Sequence, residues 1–334
     1  MRKIPVTVIT GFLGAGKTTL VRHLLANAGG RRLALIVNEF GDLGVDREIL
    51  AGCGDAACSE TDMIELANGC LCCTVADDFL PAMNKLIDRG QPPEHILIET
   101  SGLALPKPLV KAFAWPEIKA RATVDGVVTV IDAPAVLAGR FASDPEAMQR
   151  PDHDNPLEEV FLDQLACADL VLLNKADQVS ALEIGELEQN LAGKLRPAVR
   201  TVSVSHGRIA PDILLGLSAA AEEDLAARPT LHDNEEDHDH DDFESFALDL
   251  GPIEMPDSLE ERLIAAAMAH DILRIKGFLD VPGKPLRHAV QGVGGRFQRY
   301  FDRPWKPGEE RASRLVVIGR KGLDRASITQ MIQG

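Results

Sequence analysis

The sequence offers no segment for crossing a bilayer, because every apolar run falls short of the ~18 residues that a spanning helix needs. It is also short of positive charge. Lys and Arg number 35 against 51 Asp and Glu, a net charge of −16 over 334 residues. That balance argues against nucleic acid and anionic membranes as principal partners. Cysteine is scarce, six in all, and three of the six sit within Cys70-Leu71-Cys72-Cys73. A disulfide framework is therefore not expected. A metal or redox site in a reducing, cytoplasmic compartment is. Apolar residues make up 45% and charged residues 26%, the balance of a soluble globular chain. The length exceeds one ordinary core and points to two domains.

What is present begins with Gly11-Phe12-Leu13-Gly14-Ala15-Gly16-Lys17-Thr18-Thr19, which fits G-x-x-x-x-G-K-[ST] without a mismatch. The apolar run 4–9 before it reads as a buried strand. The segment 19–25 after it has apolar residues at 20, 21, 24 and 25 and reads as a helix. Strand, loop and helix are the context the motif needs. Successive backbone N–H groups of such a loop turn inward on phosphate oxygens, and the helix N-terminus adds partial positive charge. Lys17 is placed to neutralise the β- and γ-phosphates, and the Thr18 hydroxyl to hold Mg²⁺. Arg2 and Lys3 ahead of this apolar stretch have the outline of a signal peptide. Cleavage there would remove the phosphate loop, so a cytoplasmic protein is expected.

A second buried strand, 33–38, runs into Glu39, Asp42 and Asp46, carboxylates in a polar loop. Ligands of open α/β sheets gather at the carboxyl ends of strands, so these are candidates for Mg²⁺ or metal contacts. Cys53 and Cys58 have no other ligand type packed around them and read as small loop residues. Cys70, Cys72 and Cys73 are different. Extended, the segment would turn Cys70 and Cys72 to one face and Cys73 to the other, whereas in a turn any two converge. Thiolates suit Zn²⁺, Co²⁺ or Cu⁺. A helix follows over about 77–89. The strand 95–99 ends in Glu99-Thr100-Ser101-Gly102, where the Glu99 carboxylate can reach Mg²⁺ or its water and the Gly102 N–H the γ-phosphate.

Further strands are expected over 124–132 and 170–174. The second ends in Asn174-Lys175-Ala176-Asp177. N-K-x-D at the end of a late strand reads guanine: Asp177 accepts from N1–H and the exocyclic amine, Asn174 supports the base edge, and the Lys175 stem covers the ring. Residues 201–207 read as a last strand and a base-contacting loop. Cys167 reads as a core residue, and His153 as a solvated loop residue. Residues 221–244 read as an acidic, His-containing linker between domains 1–220 and 245–334. The run 232–244 alone holds eight acidic residues and no basic one. The last domain reads as a small α+β unit, with an alternating strand over 246–250, a helix capped at Asp257 or Ser258 and a closing helix over 323–332. Arg274, Lys276 and His270 read as exposed sheet residues.

Together, the motifs T-G-F-L-G-A-G-K-T-T (10–19), N-E-F-G (38–41), G-C-L-C-C (69–73), E-T-S-G (99–102) and N-K-A-D (174–177) resemble the CobW-type metallochaperone GTPases. The resemblance implies an α/β P-loop NTPase domain with a mostly parallel sheet and a smaller C-terminal α+β domain. It implies that Gly11, Gly14, Ala15, Gly16, Lys17, Thr18, Thr19, Gly102, Asn174, Lys175 and Asp177 bind GTP, with Lys17, Thr18 and Glu99 serving hydrolysis. Cys70, Cys72 and Cys73 would carry a transition metal near the γ-phosphate, with Thr18, Glu39 and Asp42 as further metal contacts. The run 99–108 looks most like the CobW branch proper, which implies Co²⁺ as cargo and the cobalt chelatase of cobalamin synthesis as client. A zinc chaperone of the same family, delivering Zn²⁺ to a metalloenzyme, is the alternative. A thiol redox-sensing GTPase is a rival from another class, as is a small-molecule kinase. A metal-receiving client and a nucleotide- or metal-dependent homodimer are the expected partners. Slow turnover is expected, because no Gln or Arg stands in a switch position to orient water.

Overall fold

The structure is a computed structural model that describes residues 3–38, 63–66, 79–139, 156–230, 243–270, 272–293, 296–305 and 309–334. The chain divides into two compact units. The first is built on seven strands: β1 (Ile4–Thr10), β2 (Leu33–Asn38), β3 (Met63–Leu66), β4 (His95–Glu99), β5 (Ala122–Asp132), β6 (Leu170–Asn174) and β7 (Arg200–Ser203). Their order is β3-β2-β4-β1-β5-β6-β7, and every pairing is parallel. A parallel sheet needs cover on both faces, so its central strands read as unbroken apolar runs. All five residues of β4 and of β6 are buried, and so are ten of the eleven in β5. The edge strand β7 is not.

One face is covered by the helices Leu80–Ile87, Pro106–Ala112 and Pro116–Lys119. Phe79, Met83, Leu86, Leu109, Val110, Phe113 and Ile118 there form one core with Val6, Val8, Ile36, Ile96, Ile98 and Val124. The Phe79 and Phe113 rings meet at 5.4 Å between centroids, tilted by 59°. Strand β1 lies between β4 and β5, and the chain leaves it in one direction for β2 and later returns to its other side for β5. This reversal of strand order opens a crevice at the carboxyl end of β1, where an open α/β sheet binds its ligand.

Four features differ from the sequence reading. Strand β3 was not anticipated; its four residues, Met63–Leu66, are too few to show a period and pair only along β2. Residues 221–230 do not begin a tether. Two short 3₁₀ helices, Ala221–Glu223 and Leu225–Ala227, lie against the first unit, with Ala221, Glu222 and Arg228 buried. Lys276 is buried rather than exposed. The helix expected to start at a polar cap instead starts with Pro256 behind Met255; proline suits that position because its missing N–H would have no helical partner.

The second unit is an antiparallel sheet of β8 (Phe243–Leu250), β9 (Ile272–Leu279), β10 (Leu286–Val293), β11 (Arg296–Pro304) and β12 (Ser313–Arg320), in the order β11-β10-β9-β12-β8. The helices Pro256–Ala269 and Arg325–Gln333 contribute Leu259, Leu263, Ala266, Ile328 and Ile332 to its core. That core packs them with Ile275, Val290, Leu315 and Val317 of the strands. Among the described residues no helix is long and apolar enough to cross a membrane.

Candidate functional site

The loop Gly11–Gly16 leaves the end of β1 and turns into the helix Lys17–Ala26. Three of its glycines hold positive φ: Gly11 at 133°, Gly14 at 71° and Gly16 at 102°. Gly16 is the residue ahead of the helix, in the left-handed region, and the first turn carries no acidic side chain. A Cβ at Gly16 would collide with the Asn174 amide, so the loop can pass there only as glycine. The backbone thus turns back on itself with the helix dipole behind it, the arrangement that accepts phosphate.

Each side chain expected here, where described, has a defined place. Lys17 is buried, and its Nζ donates to the carbonyl oxygens of Gly11 at 2.7 Å and Phe12 at 3.2 Å, folding the ammonium over the loop. Thr18 Oγ1 donates to Glu99 Oε1 at 2.7 Å. Glu99 closes β4 and is 3% exposed, so a strand-end carboxylate meets a hydroxyl of the first helical turn in a partly buried place. A pair of hard oxygen donors beside a phosphate loop suits Mg²⁺. The next residue ties the same two strand ends: Thr100 N donates to Ile9 O at 3.0 Å and Thr100 Oγ1 to Thr10 Oγ1 at 3.0 Å. Gly102 lies so close to the phosphate loop that a Cβ there would stand 2.8 Å from Leu13 N.

The N-K-x-D segment reaches the same edge from β6. Asn174 is buried; its Nδ2 donates to Ala15 O at 2.8 Å, and its Oδ1 accepts from Gly207 N at 3.0 Å. This one amide therefore links the phosphate loop to the turn after β7. Lys175 adopts φ 62° and its Nζ forms a 2.6 Å ion pair with Asp132 Oδ2 at the end of β5. Asp177 follows in the 3₁₀ turn Ala176–Gln178, its side chain 36% exposed and 3.6 Å from His206 Nε2.

Sequence reasoning missed two residues that hold this arrangement. Asp132 accepts from Ala135 N at 3.1 Å as well as pairing with Lys175, and its one signal was an acid closing a long apolar strand. Gln164 is buried within the helix Pro156–Cys167. Its Nε2 donates to the Gly102 and Ala104 carbonyls, both at 3.2 Å, and so pins the segment after Glu99. A polar residue on the apolar face of that helix was the available clue. Cys167 is in the core as expected, and burial pushes its thiol up to about 11, which leaves it unreactive.

Glu39, Asp42, Asp46, Cys53, Cys58, Cys70, Cys72, Cys73 and His153 lie outside the described residues, as does the acidic run 232–242. Among the described residues no group of three or more His, Cys, Asp or Glu gathers as a metal site.

Comparison with known proteins adds to this geometry. Residues 5–203 match the family model "CobW/HypB/UreG, nucleotide-binding domain", and residues 243–334 match "Cobalamin synthesis protein cobW C-terminal domain". The chain is 51% identical to a protein of Sinorhizobium named zinc chaperone CobW, over 99% of this chain and 96% of the relative. It is 54% identical to a zinc chaperone CobW of Pseudomonas aeruginosa, over 100% and 92%. It is 31% identical to the zinc chaperone YjiA of Escherichia coli, over 96% and 95%.

Proposed function

The chain belongs to the CobW/HypB/UreG family, a family of GTPase metallochaperones, and from that membership we propose that it hydrolyses GTP to load and release zinc. Strand β1 delivers the phosphate loop. The backbone N–H groups of 11–17 take the β- and γ-phosphates, and Lys17 exchanges its two carbonyl acceptors for phosphate oxygens. Thr18 and Glu99 would hold Mg²⁺, which would neutralise charge on the transferring phosphoryl group. Asp177 reads guanine, Asn174 holds the base loop against the phosphate loop, and the Lys175 stem covers the base.

The observation that carries the reading is the 2.7 Å bond from Thr18 to Glu99. It joins the phosphate loop to the segment through Gly102, so a change at the γ-phosphate is felt in that segment. Cys70, Cys72 and Cys73 are the proposed thiolate ligands of the cargo, with Glu39 and Asp42 as further contacts. Water attack on the γ-phosphate gives GDP and phosphate, the loops lose those contacts, and the ion passes to a client. Turnover is slow without a switch Gln or Arg to orient the water.

Cobalt, the first expectation for the cargo, gives way to zinc. Relatives that span nearly the whole chain are named zinc chaperones. The general order of divalent affinities also favours Zn²⁺ over Co²⁺ at thiolate sites. The client is then a zinc-requiring protein rather than a cobalt chelatase.

Zinc titration of the chain with Mg-GTP, with GDP and without nucleotide tests the proposal, with Co²⁺ as competitor. Coupling is reciprocal, so zinc tightened by GTP must tighten GTP by the same factor. The tightest zinc binding is expected with Mg-GTP. Equal affinity in all three states overturns the carrier reading, and preference for Co²⁺ overturns the cargo.

A further inference from the structure

Packing alone does not account for the buried amide of Gln164. The residue is 0% exposed in the helix Pro156–Cys167. Its Nε2 donates twice into one short segment, to the Gly102 and Ala104 carbonyls, each at 3.2 Å. Its Oε1 is buried with no hydrogen-bond partner. Turned over, the amide would set that oxygen against two carbonyls, so the donating orientation is the one its surroundings allow. An orphaned acceptor is a cost that an apolar side chain of the same size would not carry. What the amide contributes therefore lies in the two bonds it donates. The helix itself is fixed separately, since Thr129 Oγ1 of β5 donates to Gln164 O at 2.8 Å.

The segment so held begins at Glu99. Its first residues are tied toward the phosphate loop by the Thr18–Glu99 bond and by the bonds of Thr100 to Ile9 and Thr10. Past Thr100 the other described hydrogen bonds are local. Ala104 N donates to Ser101 O at 3.2 Å and Leu103 N to Ser101 Oγ at 3.4 Å. Gly102 packs against Leu13 of the phosphate loop. We propose that Gln164 is a positioning residue for the γ-phosphate: its amide holds 102–104 in place before nucleotide arrives and so sets the preference for GTP over GDP. A segment ordered in advance loses little freedom when it closes on a phosphate. GDP offers no γ-phosphate to meet, so its binding does not depend on the amide. The base-side residues Asn174 and Asp177 serve both nucleotides alike, whereas Gln164 acts on the difference between them. It does so only if residues 99–102 meet the γ-phosphate, as the GTPase reading holds.

Calorimetric titration of the full chain with a non-hydrolysable GTP analogue and with GDP, each with Mg²⁺ and no other metal, gives the ratio of the two affinities. The unsubstituted protein is compared with three variants. Gln164→Met keeps the side-chain length and removes the amide. Gln164→Asn keeps the amide and draws it back by one methylene. Thr129→Val loosens the same helix from β5 and leaves the amide in place. Urea unfolding shows that each chain is folded, and either Gln164 variant suffices if the other is not. The preference for the GTP analogue is expected to fall about fivefold in the Gln164 variants, the size of one neutral hydrogen bond, with GDP affinity held. Thr129→Val is expected to keep the preference, whatever it loses in urea midpoint. An unchanged ratio in a folded Gln164 variant overturns the proposal. So does an equal fall in Thr129→Val, which would assign the effect to the helix and not to the amide. An unsubstituted chain that binds neither nucleotide would instead sink the GTPase reading, and the role of Gln164 with it.

Discussion

The seven-stranded sheet buries polar groups at both of its ends, and the two ends use them differently. In the amino-terminal half the partners are backbone groups, strand hydroxyls and fixed cations. Asp125 lies at a bulge in β5 and accepts from Gly216, Leu217 and Ser218 N–H groups at 2.6, 3.0 and 2.9 Å. Glu222 accepts from Thr123 Oγ1 at 2.6 Å and Val124 N at 2.9 Å. Arg228 pairs with Asp169, which also accepts from Val127 N at 2.9 Å. His95 shares a 2.8 Å hydrogen bond with Thr7. These contacts sew the segment 211–228 to the strands. At the carboxyl end the partners are a lysine over carbonyls and a hydroxyl on a carboxylate, groups that can trade one acceptor for another. The first set ties segment to strand; the second lies on and beside the phosphate loop, where the oxygens of a ligand can replace a carbonyl or a carboxylate as acceptor.

If that contrast is right, substitutions at the two ends should separate stability from binding. The largest effect is expected for Arg228→Ala, which removes one of the two arginines paired with Asp169 and the buried donor to the Cys167 carbonyl. It should cost about 2–3 kcal/mol of unfolding free energy in urea, with GTP affinity little changed once the chain is folded. Next comes Lys17→Ala, which should weaken GTP binding on the order of 100-fold through lost charge-assisted bonds. Its shift in urea midpoint should be smaller than that of Arg228→Ala; a larger shift would erase the distinction. The smallest effect is one of pH. Burial drives the His95 imidazole down to about 4, with Asp125 pulling up and Arg31 pushing down. The folded chain therefore keeps His95 neutral while the unfolded chain takes a proton below about pH 6.5. Stability is whole above that value and falls as pH drops toward 4, by about 2 kcal/mol at pH 5. In His95→Gln the decline between pH 7 and pH 5 should flatten; an unchanged slope would place the acid sensitivity elsewhere.

Much of this was legible in the chain itself. The runs 4–9, 33–38, 95–99 and 170–174 are mostly apolar, and each appears as a strand of the parallel sheet within a residue of its expected bounds. The motif residues needed only those strands to be located, since each follows a strand end. What escaped detection depended on distance along the sequence. Residues 221–228 are alanine-rich and acidic, and nothing local marks Glu222 and Arg228 as buried; their partners lie 98 and 59 residues away. Lys276, a charged residue in a strand, reads as exposed, and it is 1% exposed.

Local chemistry by itself decided that this chain has a phosphate loop between a strand and a helix, a thiol cluster, and a guanine signature at a strand end, because each is written in contiguous residues. Tertiary structure alone decided that Thr18 meets Glu99, that Asn174 bridges Ala15 and Gly207, and that His206 faces Asp177. The first two arise because parallel strands end at a common edge, which brings together residues as many as 159 apart in sequence. The third needs a left-handed turn whose dihedrals no pattern of residue types announces.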